Sequence, residues 1–402
     1  MIQALGLLLS LFIVVVLVMR RVYYGLALLI GAFVLGVFSK VSFQGFVEVF
    51  ISTFTDRSTL DLVLIVSLIP VLASFMKEVG MVDDLINEIK EVVSGRAVLA
   101  VLPALMGALP MLGGALLSAP LIDEEANRLG LLNDEKSFIN VWFRHWNFFI
   151  YPLSSALILV ASLTGFNLYM LILMHIPPVL IYLILGYLLS IRSIKEDKIK
   201  RSRDLRVFLS IPFNMSPILL AIILNFVGVH MAAALAMAAI FTLAIKRVSP
   251  RKALILLREN FNWKLPLAMI SVMYLRHMVE YSNSVPALIP YIESIGLPVN
   301  LLLLAITWII GLATAMPTAG IAIIFPIAIL MIKNLSIFLV SILYFTMIFS
   351  YLVSPLHLCL ILTVEYYRSK LQRVYQKLIP ASIIAYLLSI LTLSLMLPFL
   401  GT

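Results

Sequence analysis

The chain has 402 residues, of which 62% are hydrophobic and only 12% are charged, and its formal net charge is +9. A soluble protein of this length needs more charge to cover its surface, so the composition excludes a soluble globular protein and indicates one embedded in lipid. The basic residues cluster in loops between apolar segments, as in cytoplasmic loops of membrane proteins, which argues against nucleic acid as the partner. The single cysteine, Cys359, excludes an internal disulfide and a metal site with several thiolates.

Apolar segments of the roughly 20 residues that a membrane helix requires recur along the whole chain. The first has no Lys or Arg before it and is followed by Arg20 and Arg21, so we expect a retained helix with its N-terminus outside rather than a cleaved signal peptide. We predict ten transmembrane helices, at residues 3–19, 22–38, 60–76, 138–163, 167–190, 207–227, 229–245, 265–282, 336–363 and 379–397.

Two further apolar segments, 97–121 and 298–331, contain Pro and Gly in mid-run. If both crossed the membrane, the basic loop 192–206 would face the opposite side from Arg20 and Arg21, against the rule that keeps positive loops in the cytoplasm. If the first enters and leaves on the cytoplasmic side, and the second on the outer side, all the basic loops are cytoplasmic. We therefore predict two re-entrant hairpins, with both chain termini outside. The basic loops are 20–21, 192–206, 246–264 and 368–377.

The first hairpin carries Pro110, the pair Gly113–Gly114 and Ser118. A turn at the glycines would aim free N–H groups and a helix N-terminus at the membrane interior, which suits an anion. The alternative is a glycine-rich packing face between helices.

The following span, 138–163, is predicted to break at Pro152, because a mid-helix proline frees a carbonyl and unwinds a turn. The polar residues around this break are Arg144, His145, Asn147, Ser154 and Ser155. Arg144 is a candidate contact for an anionic substrate, although it could instead snorkel to the cytoplasm or stack on Trp142 and Trp146. His145 is a candidate proton carrier, and a structural kink is the alternative for the whole cluster.

The second half repeats this pattern. Arg276 lies near the centre of span 265–282, where an uncompensated charge is costly, so it either pairs with Glu280 one turn later or contacts an anionic substrate. The second hairpin supplies Thr314, Pro317 and Thr318, whose hydroxyls either bind solute or bond back to their own helix. The span 336–363 is predicted to break at Pro355, beside Ser354 and His357.

An internal repeat supports this parallel. Residues 152–159 and 355–362 share five of eight residues at an offset of 203, and Ile176–Pro177 matches Ile379–Pro380 at the same offset. Phe43–Phe54 and Arg251–Asn262 are both predicted as amphipathic surface helices before the third span. We therefore predict two repeats, 1–206 and 207–402, each with five crossings and so in opposite orientations. Such repeats bind solutes at the midplane, where broken helices meet.

Enzyme classes find little support in the sequence. It contains no His-Glu-x-x-His motif, no Gly-x-Ser-x-Gly elbow and no Walker A motif. We therefore do not expect an enzyme or an ATP-driven pump. A channel, or an intramembrane enzyme without a recognised motif, is the alternative to a transporter.

The order of scaffold helices, hairpin, proline-broken helix and return helix, twice over and inverted, resembles the ion transporter superfamily, which includes gluconate, citrate, dicarboxylate and lactate permeases. The stretch Leu109–Pro120, with Arg144–Asn147 and Tyr151–Ser154, resembles a ten-helix branch of it that is filed as a domain of unknown function. Sodium-coupled dicarboxylate members carry Ser-Asn-Thr at each hairpin tip, whereas the tips here read Leu112-Gly113-Gly114 and Pro317-Thr318-Ala319.

Together these features predict an all-α polytopic protein of the cytoplasmic (inner) membrane, with ten transmembrane helices and two re-entrant hairpins. We expect a secondary active transporter of a small organic anion, either a carboxylate or a sugar acid, coupled to H⁺ or Na⁺ and working by elevator-like alternating access. Its partners would be the lipid bilayer, the anionic solute and the coupling ion, with a homodimer left open. We expect no cofactor and no metal other than Na⁺ at the hairpin tips.

Overall fold

A computed structural model describes residues 2–93, 95–109, 114–195 and 205–397, and all regular structure within these ranges is helical. The helices of the first half are α1 (Ile2–Met19), α2 (Tyr24–Phe38), α3 (Phe43–Thr55), α4 (Arg57–Glu78), α5 (Met81–Val92), α6 (Gly95–Ala108), α7 (Gly114–Arg128), α8 (Asn133–Arg144), α9 (Asn147–Ile150), α10 (Ser155–Thr164) and α11 (Leu168–Gly186), which a π-helical turn, Tyr187–Ile191, extends. Those of the second half are α12 (Leu205–Phe226), α13 (Met231–Ile245), α14 (Pro250–Asn260), α15 (Lys264–Tyr281), α16 (Ser284–Ile295), α17 (Val299–Thr314), α18 (Pro317–Met331), α19 (Ile337–Leu352), α20 (Leu358–Tyr367) and α21 (Leu371–Met396).

Several of these helices match the bilayer in length and composition, which confirms the prediction of an all-helical membrane protein. Within the described ranges, six segments are long and apolar enough to cross: Ile2–Met19, Arg57–Glu78, Asn133–Thr164, Leu168–Ile191, Arg206–Phe226 and Leu371–Met396. They coincide with six of the predicted spans. The other four stay predictions, because α2 and α13 have only 15 residues each, α15 carries three charged residues, and 336–363 is divided between α19 and α20.

The two spans expected to break at a proline are both interrupted. In the first span the chain leaves the helix at residues 145–146 and again at 151–154, around Pro152, with only the short helix α9 between them. In the second it does so at residues 353–357, around Pro355. We call residues 145–154 the first break and residues 353–357 the second break. Proline cannot donate a backbone hydrogen bond and clashes with the preceding turn, so each helix ends before it and a new helix starts a few residues later.

The segments predicted as hairpins each form a pair of helices that pack against each other, α6 with α7 and α17 with α18. In the second pair, α17 ends at Thr314, Ala315 adopts a left-handed conformation with φ of 48°, and α18 begins at Pro317. Proline is favoured at a first helical position because its missing N–H would have no partner there. In the first pair the connecting residues, including Pro110 and Gly113, lie outside the described residues.

The third predicted span of each half, α4 or α15, lies between two shorter helices. Before it lie α3 and α14, near the predicted positions of the surface helices, and each is capped by a serine, Ser42 or Ser249, whose hydroxyl accepts a backbone N–H. After it lie α5 and α16, which the sequence analysis missed. The N-cap of α4 is Asp56. Burial opposes its ionisation, but hydrogen bonds from Thr59 and Ser58 outweigh this and keep the pKa of Asp56 below its ordinary value.

Many helices of each half pack against helices of the other half. Helix α2 packs against α15 and α4 packs against α13, so each half supplies the partner that the other half needs. The same exchange involves the helix pairs, since α7 packs against α20 and α18 packs against α10. Four of the largest fully buried side chains, Trp142, Tyr182, Tyr344 and Phe349, lie on α8, α11 and α19, so much of the core surrounds the two broken helices.

Candidate functional site

The two helix breaks meet in the interior of the protein. His145 follows the last residue of α8, His357 precedes α20, and both are buried. Their Nε2 atoms are 3.2 Å apart, and the hydroxyl of Tyr351, near the end of α19, lies 3.2 Å from the same nitrogen of His145. We call His145, Tyr351 and His357 the break cluster. It joins residues from both halves of the chain.

Reciprocal hydrogen bonds fix the end of α8 that carries this cluster. The indole N–H of Trp142 donates to the carbonyl of Tyr182 on α11 at 3.0 Å, and the Tyr182 hydroxyl donates to the carbonyl of Trp142 at 2.6 Å. The two rings also stack, with centroids 4.2 Å apart. Because both side chains are fully buried, the backbone leading into Arg144 and His145 has a defined position.

The first helix pair approaches the first break closely. A Cβ added at Gly107 of α6 would overlap the backbone carbonyl of Arg144, so only glycine allows this contact. Beyond it, the indole N–H of Trp146 donates to the carbonyl of Ala104 at 2.9 Å. A side chain from the break therefore satisfies a carbonyl of α6.

The second pair repeats this arrangement at the second break. A Cβ added at Gly311 of α17 would overlap the hydroxyl of Ser350 on α19. The hydroxyl of Ser354, inside the break, donates to the carbonyl of Leu312 at 2.6 Å. Each helix pair is thus tied to the break that follows it in the chain.

Helix α7 is anchored by a buried lysine. Lys136 of α8 is only 3% exposed, and its ammonium donates to Asp123 at 2.8 Å and to Asn127 at 2.5 Å, both on α7. The same ammonium lies over the ring of Tyr367, 5.5 Å from its centroid, and the Tyr367 hydroxyl donates to the carbonyl of Ala119 at 2.7 Å. These contacts hold α7 to α8 and α20.

Arg144 is the cation of the site. It is half-buried, and its guanidinium donates to the hydroxyl of Ser118 on α7 at a long 3.4 Å. Within the described residues no carboxylate forms an ion pair with it. The guanidinium is near enough to both His145 and His357 to interact with them electrostatically. The charge of Arg144 is therefore not neutralised by any carboxylate in the described part of the chain.

The first break also contains polar atoms without partners. The side-chain oxygen of Asn147 and the hydroxyl of Tyr151 are buried and make no hydrogen bond within the described part of the chain. A buried polar atom left unpaired costs about 1–3 kcal/mol, so these atoms favour a bound polar molecule. Ser154 and His357, the N-cap residues of α10 and α20, provide no side-chain cap to the first N–H groups of these helices.

A cavity of about 330 Å³ reaches the second helix pair. It is lined by Thr314, Ala315 and Met316 at the turn between α17 and α18, and by Leu356 and Leu358 at the second break. Its other wall is formed by residues 18–24, between α1 and α2, which include Arg21. The cavity thus connects one end of the α1–α2 pair with the break that carries His357.

A second cavity, of about 500 Å³, lies between α4, α10 and the connection from α12 to α13. Its polar residues include Asp61 and His230, whose Oδ2 and Nε2 atoms are 3.1 Å apart. No residue of the break cluster lines it.

The amino-acid sequence of the chain matches one known protein family. A family model described as "Protein of unknown function (DUF401)" matches residues 4–396, nearly the whole chain. The chain belongs to the DUF401 family. No curated protein sequence matches it.

Several site residues predicted from the sequence come together in this DUF401 chain. Arg144, His145 and His357 meet at the breaks, and Ser118 reaches the same point from α7. The other predicted residues that lie in the breaks or on the helix pairs are Gly114, Asn147, Ser154, Ser155, Thr314, Pro317, Thr318 and Ser354. The hydroxyl of Thr314 donates to the carbonyl of Ile310 in its own helix at 2.8 Å. This is the structural alternative to solute binding that the sequence analysis gave for this residue.

Arg276 forms the pair that its spacing suggested. Its Nε atom lies 3.0 Å from Oε1 of Glu280, and the two side chains are 23% and 39% exposed. The neighbouring His277 hydrogen-bonds to Thr53 of α3 at 3.0 Å. No hydrogen bond or ion pair in the described ranges joins Arg276 to the breaks.

Two residues near the breaks, partly buried Cys359 and fully buried His175, were not predicted from the sequence of this DUF401 chain as site members. Cys359, used there only to exclude disulfides and multi-thiolate sites, lies with its sulfur within 4.8 Å of the Nε2 or Nδ1 atoms of His145 and His357. His175 bridges the carbonyl of Phe149, at 2.9 Å, and the hydroxyl of Ser341, at 3.1 Å. Only the fold brings these groups together, although a histidine in mid-span was a signal for His175.

Proposed function

We propose that this protein is a secondary active transporter that moves a small organic anion, a carboxylate or a sugar acid, across the cytoplasmic membrane with a proton or sodium gradient. The observation that carries the proposal is the meeting of two helix breaks near a cation, Arg144, that has no acidic partner among the described residues. Transporters built from repeats bind their solutes at such breaks, where irregular backbone lines a cavity.

The helix pairs fit the role of re-entrant hairpins. Helices α6, α7, α17 and α18 have 14 to 16 residues. At about 1.5 Å per residue they are roughly 21–24 Å long, less than the roughly 30 Å of the hydrocarbon core. Helices α2 and α13 are equally short, so the placement of the basic loops decides between hairpin and crossing. A pair that enters and leaves on one side also keeps every basic loop in the cytoplasm. On this basis the chain has ten crossings, with both termini outside.

The exchanged packing supports two repeats of opposite orientation. Two prominent contacts between the halves have counterparts in which the roles of the halves are reversed: α2 with α15 and α13 with α4, or α7 with α20 and α18 with α10. A pseudo-two-fold axis between the repeats produces this pattern. In the proposed mechanism, the helix pairs and broken helices move against α1, α2, α12 and α13 in an elevator-like step.

The anion would be held by three kinds of group. Arg144 supplies a full positive charge, and the N-termini of α10 and α20 supply partial positive charges and free N–H groups. Asn147 and Tyr151 supply polar atoms that lack a partner in the described structure. The 330 Å³ cavity beside Arg21, a residue expected in the cytoplasm, would give this site an inward path.

A thermal-shift screen of the detergent-purified protein tests the proposal. Carboxylates and sugar acids would be added with and without Na⁺, each at two pH values, because a ligand that binds the folded state raises its apparent stability. We expect at least one of them to stabilise the wild-type protein and to lose this effect in Arg144→Gln. The coupling ion is whichever of Na⁺ or H⁺ strengthens the shift.

The matched control is Arg57→Gln. Arg57 begins the scaffold helix α4, and its side chain is 89% exposed, so its loss should leave the ligand effect unchanged. A full shift in a folded Arg144→Gln protein would remove Arg144 from the site. The absence of any stabilising anion would contradict the proposed substrate class.

A further inference from the structure

Backbone carbonyls fix the protonation of both histidines in the break cluster. Nδ1 of His145 lies 2.5 Å from the carbonyl oxygen of Val141, and Nδ1 of His357 lies 3.3 Å from that of Leu352. A carbonyl oxygen only accepts hydrogen bonds, so in each neutral ring Nδ1 carries the proton. Each Nε2 is then left with a lone pair, and these two nitrogens face each other.

Two lone pairs do not attract. The Nε2 atoms are 3.2 Å apart, and the hydroxyl of Tyr351 has a single proton, which can satisfy His145 but not both rings. With both rings buried, no bulk water reaches the second lone pair. The geometry therefore leaves room for a positive species that both nitrogens can bind.

The third donor indicates which species this is. The sulfur of Cys359 completes a set of three ligand atoms with the two histidines, all within 4.8 Å of one another. In tetrahedral zinc coordination with Zn–N bonds of about 2.0–2.1 Å, two nitrogen ligands lie about 3.3 Å apart, close to the separation seen here. Nitrogen and sulfur donors select zinc and similar borderline ions over Na⁺, Mg²⁺ or Ca²⁺.

We propose that His145, His357 and Cys359 form a binding site for a divalent transition metal ion of the zinc class, with the Tyr351 hydroxyl as a fourth donor. The carbonyls of Val141 and Leu352 act as outer-shell acceptors that orient the rings, as they do around known metal-bound histidines. Cys359 is partly exposed, so on binding its thiol can release a proton to solvent, and the sulfur then donates an electron pair to the metal. No redox change is involved.

The site would link the two halves of the chain. His145 belongs to the first break, whereas His357 belongs to the second break and Cys359 to the first turn of α20. A bound ion therefore ties the breaks together and stabilises the fold. This proposal does not depend on the anion-transport proposal, because metal affinity is measured without any transported solute.

Cobalt spectroscopy tests the site on the whole protein in detergent. Co²⁺ is titrated into protein that has been stripped of metal with a chelator. Because Cys359 is the only cysteine in the chain, a sulfur-to-cobalt charge-transfer band in the near ultraviolet reports on this residue alone. We expect that band together with visible ligand-field bands, saturating at one ion per chain, and displacement of both by Zn²⁺ but not by Mg²⁺.

The variants remove one ligand atom at a time. His145→Asn and His357→Asn keep an amide N–H for the carbonyls of Val141 and Leu352 but lose the Nε2 lone pair, and we expect affinity to fall at least about tenfold. Cys359→Ser should abolish the charge-transfer band. The matched control is His175→Asn, the same change at another buried histidine, which should bind Co²⁺ as the wild type does.

Two outcomes would overturn the proposal. If the wild-type protein shows no charge-transfer band at saturating Co²⁺, Cys359 is not a ligand, and this result requires no variant to fold. If Co²⁺ affinity survives in folded His145→Asn and His357→Asn but falls in His230→Asn, the ion binds adventitiously at the surface pair of His230 and Asp61.

Discussion

The close approach of α6 to α8 predicts a specific penalty for Gly107→Ala. The new Cβ would overlap the carbonyl oxygen of Arg144 and would lie 2.9 Å and 3.3 Å from the carbonyl carbon and Cα of the same residue. All three are backbone atoms of a helix that Trp142 and Tyr182 hold in place. The helices can therefore accommodate alanine only by moving apart.

The expected magnitude combines two opposing effects. Alanine is about 1 kcal/mol more favourable than glycine inside a helix. Overpacking typically costs about 1–3 kcal/mol and occasionally more, and the upper end applies here because no flexible side chain can yield. We expect a net loss of about 2 kcal/mol, which changes the unfolding equilibrium by roughly 30-fold.

Unfolding in mixed detergent micelles, followed by tryptophan fluorescence at increasing fractions of denaturing detergent, measures this loss. The control is Gly36→Ala, where the Cβ would meet side-chain atoms of Phe46 and the sulfur of Met278, the latter at 3.2 Å. Flexible side chains can shift, so overpacking there should roughly cancel the gain of about 1 kcal/mol in helix propensity. If Gly107→Ala proves as stable as Gly36→Ala, α6 does not contact the backbone of α8 as described.

Two further predictions concern topology and charge. In a Cys359→Ser background, a cysteine at Asn133 should be shielded from a membrane-impermeant thiol reagent applied outside and one at Ser294 should react; labelling at Asn133 would mean that the first helix pair crosses fully. Arg276→Met should lower the melting temperature, and adding Glu280→Gln should restore much of it, because removing one partner of an ion pair in a predicted membrane span leaves the other charge uncompensated. An anion-induced thermal shift that persists in a folded Arg276→Met protein would exclude this arginine from the binding site.

The helix breaks could be predicted from the sequence because their cause is local. Pro152 and Pro355 remove a backbone donor and so favour an interruption of their helices. The prolines inside α4, α11 and α21 leave those helices continuous, so the internal repeat, and not proline alone, distinguished these two positions. Likewise, Arg276 and Glu280 pair because four residues of helix place them on one face. Patterns of this kind need no knowledge of the tertiary structure.

The contact between His145 and His357 could not be predicted in this way, since 212 residues separate them. The approach of Cys359 depends on the same long-range packing. Helix α5 was not predicted, for a different reason. Asp83, Asp84 and Lys90 make its sequence too polar for a membrane span, while residues such as Leu85 and Ile89 form its buried face. A search for long apolar segments does not detect an amphipathic helix of this length.

The exchanged packing of the two halves has a consequence for biosynthesis. When the ribosome has made only the first 200 residues, α2 and α4 are in the membrane without α15 and α13, and α7 and α10 lack α20 and α18. The first half must then remain loosely assembled until the second is inserted. We expect that each half expressed alone is degraded, and that co-expression of the two halves from separate messages restores a stable protein.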